Sequence, residues 1–301
     1  MNARLVWDRD GADWPNREAS QFIKAAGLKW HVQTTGCGPV ALLLHGTGAS
    51  SHSWRRLTSF LNHHFTVVAP DLPGHGFTSM PQANGLSLSG IAHEVSELMH
   101  VLGLEPDLVI GHSAGAAIAM RATIDRLLTP STIVSINGAL LPFGTPIGQF
   151  FSPLAKLLVS TPIVAQIMAW RGQNRVTVQR VIFGTGSRIE PQDLDYYSRL
   201  FGNPGHVAGA LGMMANWDLS TFAADLTKLT THTVLIAAEN DRAISPADAV
   251  KVAQLLQQAR LIRLSGAGHL AHEEQPGPIA KIIIEAASDI FASSSEVRSK
   301  I

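Results

Sequence analysis

The stretch "LVIGHSAGAAIAM", residues 108–120, runs three apolar residues into Gly111-His112-Ser113-Ala114-Gly115 and on into small residues. A serine between glycines where a strand becomes a helix has two readings. One is a tight turn with a helix cap, because glycine tolerates strained turns and serine favours N-caps. The other is a nucleophile on a sharp elbow, where flanking glycines remove bulk so that the hydroxyl stands above the sheet. The amide of Ala114, at the start of the following helix, lacks an intrahelical acceptor and is free to donate to a developing oxyanion. A second donor is due from the loop after "VALLL", which reads His45-Gly46-Thr47-Gly48; the Thr47 amide is the candidate, with Gly48 next. His45 reads as a residue that hydrogen-bonds to hold this loop.

A serine hydroxyl is a weak nucleophile at neutral pH and needs a base, which in turn needs a group to hold its tautomer. After the strand "TVLIAA" the chain reads Glu239-Asn240-Asp241-Arg242, and after "LIRLSGAG" it reads His269. Asp241 is preferred over Glu239 because it lies further into its loop. An acid placed after the preceding strand is the other known arrangement, but that position is Asn137, which is neutral. His272 reads as a surface or supporting residue. Ser113, Asp241 and His269 are therefore expected to meet at the carboxyl edge of one sheet, where ligands of open α/β sheets collect.

The elements that would position them are legible as alternation. Short apolar runs at 40–44, 65–69, 108–110, 132–136, 233–238 and 261–264 read as strands, and helical patterns occur near 53–62, 88–103, 115–127, 246–257 and 277–291. Crossovers of that length imply a mostly parallel sheet flanked by helices. "FIKAAGLKWHVQTTG" suggests an antiparallel hairpin at one edge, and "WDRDGADWPNREAS" before it fits no element. The expected organisation is an N-terminal extension at 1–19, a core at 20–137 and 218–292, an inserted helical cap at 138–217 and a tail at 293–301.

The 301 residues are 46% hydrophobic and only 15% charged, against about 25% charged in an average domain. Lys plus Arg and Asp plus Glu each number 23, so no global field favours nucleic acid, and no recognition motif is present. The missing polarity lies in the cap, where Lys156 is the only charged residue from Gly138 to Trp170. An apolar lid followed by Arg171, Arg175 and Arg180 suits a bulky hydrophobic acid or an anionic membrane surface. Phe150, Phe151, Met168, Trp170, Met213, Met214 and Trp217 are the candidate lining residues, with ordinary core packing as the alternative. No G-x-G-x-x-G or P-loop follows a strand, and the histidine pairs lack carboxylate or cysteine partners, so no cofactor or metal is expected. The single Cys37 suits a reducing compartment, and no signal-peptide or membrane-spanning run is seen, so the expected location is cytoplasmic or peripheral.

The set HGTG, GHSAG, ENDRA and GAGHLAHEE resembles α/β-hydrolase-fold proteins over roughly residues 20–292. More narrowly, "WDRDGADWPNREAS", "HGTGASSHSW", "NGALLPFG" and "MMANWDL" resemble the magnesium-chelatase accessory family of bacteriochlorophyll biosynthesis. The resemblance implies the α/β-hydrolase fold and a Ser113–His269–Asp241 triad. It implies a role around magnesium insertion into protoporphyrin IX in a photosynthetic bacterium, at the inner or photosynthetic membrane if peripheral. Three roles compete: hydrolysis of an ester or acyl bond in a hydrophobic substrate, non-catalytic holding of a porphyrin, and docking on magnesium-chelatase subunits.

Overall fold

The computed structural model describes residues 3–82, 85–142, 161–288 and 290–291. Its strands are β1 (Ser20–Ala25), β2 (Leu28–Thr35), β3 (Val40–Leu44), β4 (Thr66–Pro70), β5 (Leu108–His112), β6 (Thr132–Ile136), β7 (His232–Ala238) and β8 (Ala259–Leu264). The α-helices of the core are α1 (Trp7–Asp10), α2 (Arg55–Leu61), α3 (Leu88–Leu102) and α4 (Ala114–Ile124). Between β6 and β7 come α5 (Pro162–Gly172), α6 (Arg175–Gly184), α7 (Pro191–Phe201), α8 (Pro204–Asn216) and α9 (Phe222–Leu226). The chain closes through α10 (Pro246–Leu255), α11 (Ala271–Glu274) and α12 (Pro276–Ala286).

Among the described residues the strands form one eight-stranded sheet in the order β1-β2-β4-β3-β5-β6-β7-β8. The edge hairpin β1–β2 and the β2–β4 pair are antiparallel, and every pair from β4 through β8 is parallel. The inner strands β3, β5, β6 and β7 are covered on both faces, which explains their largely apolar runs, whereas the edge strand β8 exposes Arg260 and Arg263. Along β3, Leu42 and Leu44 join the core beneath α3 and α4, while Ala41 and Leu43 join the opposite core with Trp54, Leu57 and the α12 residues Ile279 and Ile283. Alternate side chains of one strand thus serve two cores.

Of the helices between β6 and β7, α7 and α8 rest on the carboxyl edge of this sheet, with α5 and α6 packed on them, while α9 packs on the face beside α4. α5 packs through the small residues Ala165 and Ala169 against Val207 and Leu211 of α8. Asp193 of α7 accepts from Arg55 at 2.5 Å and forms an ion pair with Arg56 at 3.1 Å, and the Tyr197 hydroxyl donates to Glu273 Oε1 at 2.6 Å. The N-terminal segment, which the sequence pattern left without an element, forms α1 and a 3-10 turn at Arg17–Ala19. Trp7 packs on Phe22, His31 and Phe77, and Trp14 on Phe77 and Tyr196, burying surface that the short helix could not bury alone. Arg4 donates to the carbonyls of Gly74, Gly76, Thr78 and Gly205, and Arg199 pairs with Asp13, so this segment straps α7 and α8 to the core. Among the described residues, no helix is long and apolar enough to cross a membrane.

A layer of buried histidines lies under this junction. Burial lowers the pKa of His45, His52, His75 and His112, and drives those of His206 and His272 down to about 3. His75 uses Nδ1 to donate to Pro73 O, and His112 uses Nε2 to donate to His269 O, while the other nitrogen of each has no partner among the described residues. Protonating such a ring would bury an N–H with nowhere to donate, at about 1–3 kcal/mol each besides the charge. Glu273 acts oppositely, since burial pushes its pKa up to about 8 against the lowering effect of hydrogen bonds from Ser53 and Tyr197.

The signs give a prediction. A histidine with a depressed folded pKa contributes stability that is present above about pH 6.5 and lost as pH falls below it, by up to about 1.4 kcal/mol per pH unit per group. Glu273 offsets one such group between its unfolded pKa near 4.5 and about 8. The histidines outnumber it, so the urea midpoint falls steeply from pH 7 to pH 5. A midpoint that is flat or rises over that interval contradicts the buried neutral layer.

Candidate active site

Ser113 joins β5 to α4 with φ 53° and ψ −118°, an uncommon conformation for a residue with a side chain. Such strain costs on the order of 1–3 kcal/mol and persists only where the surroundings over-determine it. Here they do: the Ser113 amide donates to Ile136 O at 3.0 Å, and its carbonyl accepts from the amides of Ala116 and Ala139 at 3.1 and 3.0 Å. Both flanking glycines are required by close approach. A Cβ on Gly115 would stand 2.0 Å from Leu44 O, and one on Gly111 would stand 2.4 Å from the Ala116 backbone. The Ser113 side chain is left partly exposed above the sheet.

Asp241 and His269 come from the loops after β7 and β8. His269 Nδ1 and Asp241 Oδ2 are 2.7 Å apart, while Asp241 Oδ1 accepts from the amides of Ala243 and Ile244 at 2.8 and 2.9 Å. The loop backbone thus aims the carboxylate, and the carboxylate holds the imidazole with Nε2 as its free nitrogen. Glu239 is exposed and is not bonded to His269. His272 is not at the surface: it is fully buried, bonded through Nε2 to Ser53 Oγ at 2.7 Å and packed between the rings of His112 and Trp54.

Asn137, read from the sequence only as a neutral position, is the clamp of this edge. It holds φ 47°, a left-handed conformation that asparagine tolerates, and donates from Nδ2 to Gly268 O and His269 O at 3.0 and 2.9 Å. Its Oδ1 accepts from the Ala238 amide at 2.8 Å, so one side chain ties the ends of β6 and β7 to the His269 loop. His112, inside the elbow pentapeptide, donates to His269 O at 2.9 Å. These links bring the His269 loop to the Ser113 turn. The signal in the sequence was only position: both residues sit at strand carboxyl ends.

The Thr47 loop abuts the same point, since a Cβ on Gly46 would stand 3.0 Å from Ser113 Cβ. Residues 46–49 form a turn closed by the Ala49 amide to Gly46 O at 3.1 Å, with Gly48 at φ 81°, the position where a type II turn needs glycine. His45 Nε2 accepts from the Leu72 amide at 2.9 Å, which leaves the proton on Nδ1 to donate to Gly46 O at 2.8 Å. Gly46 O and the Thr47 N–H belong to one trans peptide, so a bond that fixes the carbonyl also aims the N–H the opposite way. Neither the Thr47 nor the Ala114 amide donates to a described backbone or side-chain acceptor. Asp71, fully buried, accepts from His31 Nδ1 and from the amides of Ser51 and Phe77 at 2.9, 2.7 and 2.9 Å. Burial alone would raise its pKa, but His31, His45 and the Phe77 amide together outweigh this and hold the carboxyl below its ordinary range.

The expected lining residues are dispersed. Met213 and Trp217 are buried in the core that contains Ala114 and Leu140, and Met213 reaches the site through the Thr47 hydroxyl, which donates to its Sδ at 3.4 Å. Met168 and Trp170 do not line an interior: they are 47% and 72% exposed, because α5 turns its small residues Ala165, Ala169 and Gly172 inward. Met214 is also exposed, and Phe150 and Phe151 lie outside the described residues. A cavity of about 350 Å³ opens beside the acid, lined by Leu140, Leu141, Asp241, Arg242, Ile244 and Pro246. Among the described residues, no cluster of three or more His, Cys, Asp or Glu side chains is placed to hold a metal.

The alpha/beta hydrolase family profile matches residues 41–282. The chain is 36% identical over 277 residues to the magnesium-chelatase 30 kDa subunit of Rhodobacter capsulatus, covering 91% of this chain and 96% of that one. It is 26% identical over 280 residues to human epoxide hydrolase 4, covering 87% and 76% of the two chains. The crystal structure of an alpha/beta hydrolase fold protein from Burkholderia ambifaria superposes with a TM-score of 0.75 at 20% identity, over 95% of this chain and all 100% of that one. With a family match across most of its length and a relative matched nearly end to end, the chain belongs to the alpha/beta hydrolase family and is related to the magnesium-chelatase 30 kDa subunit.

Proposed function

We propose that the protein is a serine hydrolase that cleaves an ester or related acyl bond of a hydrophobic substrate at the magnesium-insertion step of bacteriochlorophyll biosynthesis. The observation that carries the chemistry is the 2.7 Å contact of His269 Nδ1 with Asp241 at the edge where Ser113 is strained clear of the sheet. The pathway rests on the relative named as a magnesium-chelatase subunit. Ser113 Oγ adds to the acyl carbon as His269 Nε2 takes its proton, and Asp241 stabilises the imidazolium. Negative charge gathers on the former carbonyl oxygen, where the amides of Thr47 and Ala114 donate. Collapse breaks the bond to the leaving alcohol, which receives the proton from His269. A water molecule, deprotonated by the same base, then releases the acid and regenerates the Ser113 hydroxyl. Leu140 and Leu141, beside the acid, give the acyl or alcohol portion an apolar wall.

A second reading, a porphyrin-holding or chelatase-docking protein, is favoured by a different observation. α5 turns Ile163, Ile167 and Trp170 outward, and the neighbouring Arg171 and Arg180 are exposed with no ion-pair partner among the described residues. Arg175 is already engaged by Asp195 at 2.8 Å. Guanidinium groups recognise carboxylates in a two-pronged fork, and a porphyrin presents its propionates along one edge.

Reaction with a fluorophosphonate probe separates the readings. Wild-type protein is labelled and Ser113→Ala is not; His269→Gln and Asp241→Asn each slow labelling by about 10³-fold or more, and the losses do not add. His272→Ala lowers the melting temperature yet keeps the labelling, and equal loss there would assign the base to His272 instead. An unlabelled wild type removes the hydrolase reading.

Porphyrin binding is tested by quenching of tryptophan fluorescence, for which the exposed Trp170 is the reporter. Protoporphyrin IX binds more tightly than its dimethyl ester, and Arg171→Glu with Arg180→Glu erases the difference. Equal binding of the two forms to wild type rejects carboxylate recognition by these arginines.

A further inference from the structure

The turn that carries the Thr47 amide is held from two sides, and one of them is the helix α8. His206, Gly209 and Met213 are spaced three and then four residues apart, which places them on one face of that helix. Gly209 lets the face come close: a Cβ there would stand 2.0 Å from Gly74 O, in the Gly-rich loop 71–78. His206, fully buried, spans the resulting gap. Its Nδ1 accepts from the Gly76 amide at 3.0 Å, so the proton lies on Nε2, which donates to Gly48 O at 3.0 Å. Seven residues on, Met213 Sδ receives the Thr47 hydroxyl. Of the turn residues, Gly46 is therefore tied to the core by His45, while Thr47 and Gly48 are tied to α8.

The chain would not hold this turn unaided. Thr47 stands between two glycines, the residues with the widest backbone freedom, and Gly48 is at positive φ. An oxyanion donor must be aimed before the reaction, because a group that reorients during it contributes little. We infer that His206 is a positioning residue of the active site, holding the Gly48 carbonyl so that the Thr47 amide stays aimed at the oxygen of the acyl group. The inference rests on the hydrolase reading. His206 makes no hydrogen bond to Ser113, Asp241 or His269 and takes no part in proton transfer. Its ring has the imidazoles of His45, His52 and His75, the Asp71 carboxylate and the Arg4 guanidinium as charged or titratable neighbours, and burial keeps it neutral, with its pKa down to about 3. The Nδ1 acceptor and the Nε2 donor therefore persist through the neutral pH range.

Two variants separate the contacts. His206→Gln keeps an amide donor within reach of Gly48 O, whereas His206→Asn keeps an acceptor for the Gly76 amide but is too short for Gly48. Turnover of p-nitrophenyl acetate and hydrogen exchange of the peptide containing residues 45–50 are measured for both, beside wild type. In His206→Asn, kcat falls by about 10- to 100-fold with KM within about twofold, the scale of a misplaced catalytic group, and the turn exchanges faster. His206→Gln restores most of kcat and of the protection. Equal kcat losses that merely follow the melting temperatures overturn the inference, as does unchanged exchange, or faster exchange with normal kcat. A wild type inert toward both the ester and the fluorophosphonate removes the hydrolase reading and this role with it, whereas an active wild type with an unaffected His206→Asn removes this role alone.

Discussion

A single backbone conformation, the positive φ of Ser113, sets the terms for its surroundings. It demands that β5 stop and α4 start within one residue, which brings α4 so close to β3 that only glycine fits beneath the Leu44 carbonyl. It also demands pins strong enough to hold the strain, and these come from the end of β6 through Ile136 and Ala139. The sheet order follows a matching logic. With β3 and β6 on either side of β5, one neighbour supplies the turn around Thr47 and the other supplies Asn137.

The division of labour around that serine follows from what each group must do. Two backbone amides hold one oxygen of Asp241 while the other faces His269. Asn137 must bind both carbonyls and an amide at once, which a carboxylate cannot do because it has no N–H to donate. The side chain that closes this edge is therefore an amide. The supporting histidines meet a related demand: uncharged, His45 and His206 each give one donor and one acceptor to backbone, while His272 bonds to a serine hydroxyl.

Much of the scaffold was legible in the chain. The inner strands from Val40 to Ala238 declare themselves as apolar runs because they are covered on both faces, and the helices between them follow from length and periodicity. The Ser113 junction was legible for a similar reason, since glycines at 111 and 115 are conspicuous where a strand meets a helix. What escaped was whatever depends on contacts between distant segments. Trp170 and Met168 look like lining residues by composition, but the inward face of α5 is decided by how near α8 must come, and small residues win it. His206 and His272 look alike in sequence to the exposed His63, yet they are interior groups whose partners lie far along the chain. No local pattern encodes a bond from α8 to the Gly48 carbonyl.

The N-terminal strap has a consequence for the order of assembly. Arg4 bonds to Gly205, a separation of 201 residues, and the Gly205 amide donates to Ala3 O, so these two contacts form only after α8 has been synthesised and docked. Loop closure over such distances is slow, and contacts of high sequence separation form late in folding. Trp7 finds Phe22, His31 and Phe77 early, but until α7 arrives Trp14 lacks the Tyr196 ring and leaves apolar surface open on the growing chain. The segment that locks α7 and α8 to the sheet thus has to wait for them, and until it closes the apolar surface it leaves open favours aggregation of the nascent protein.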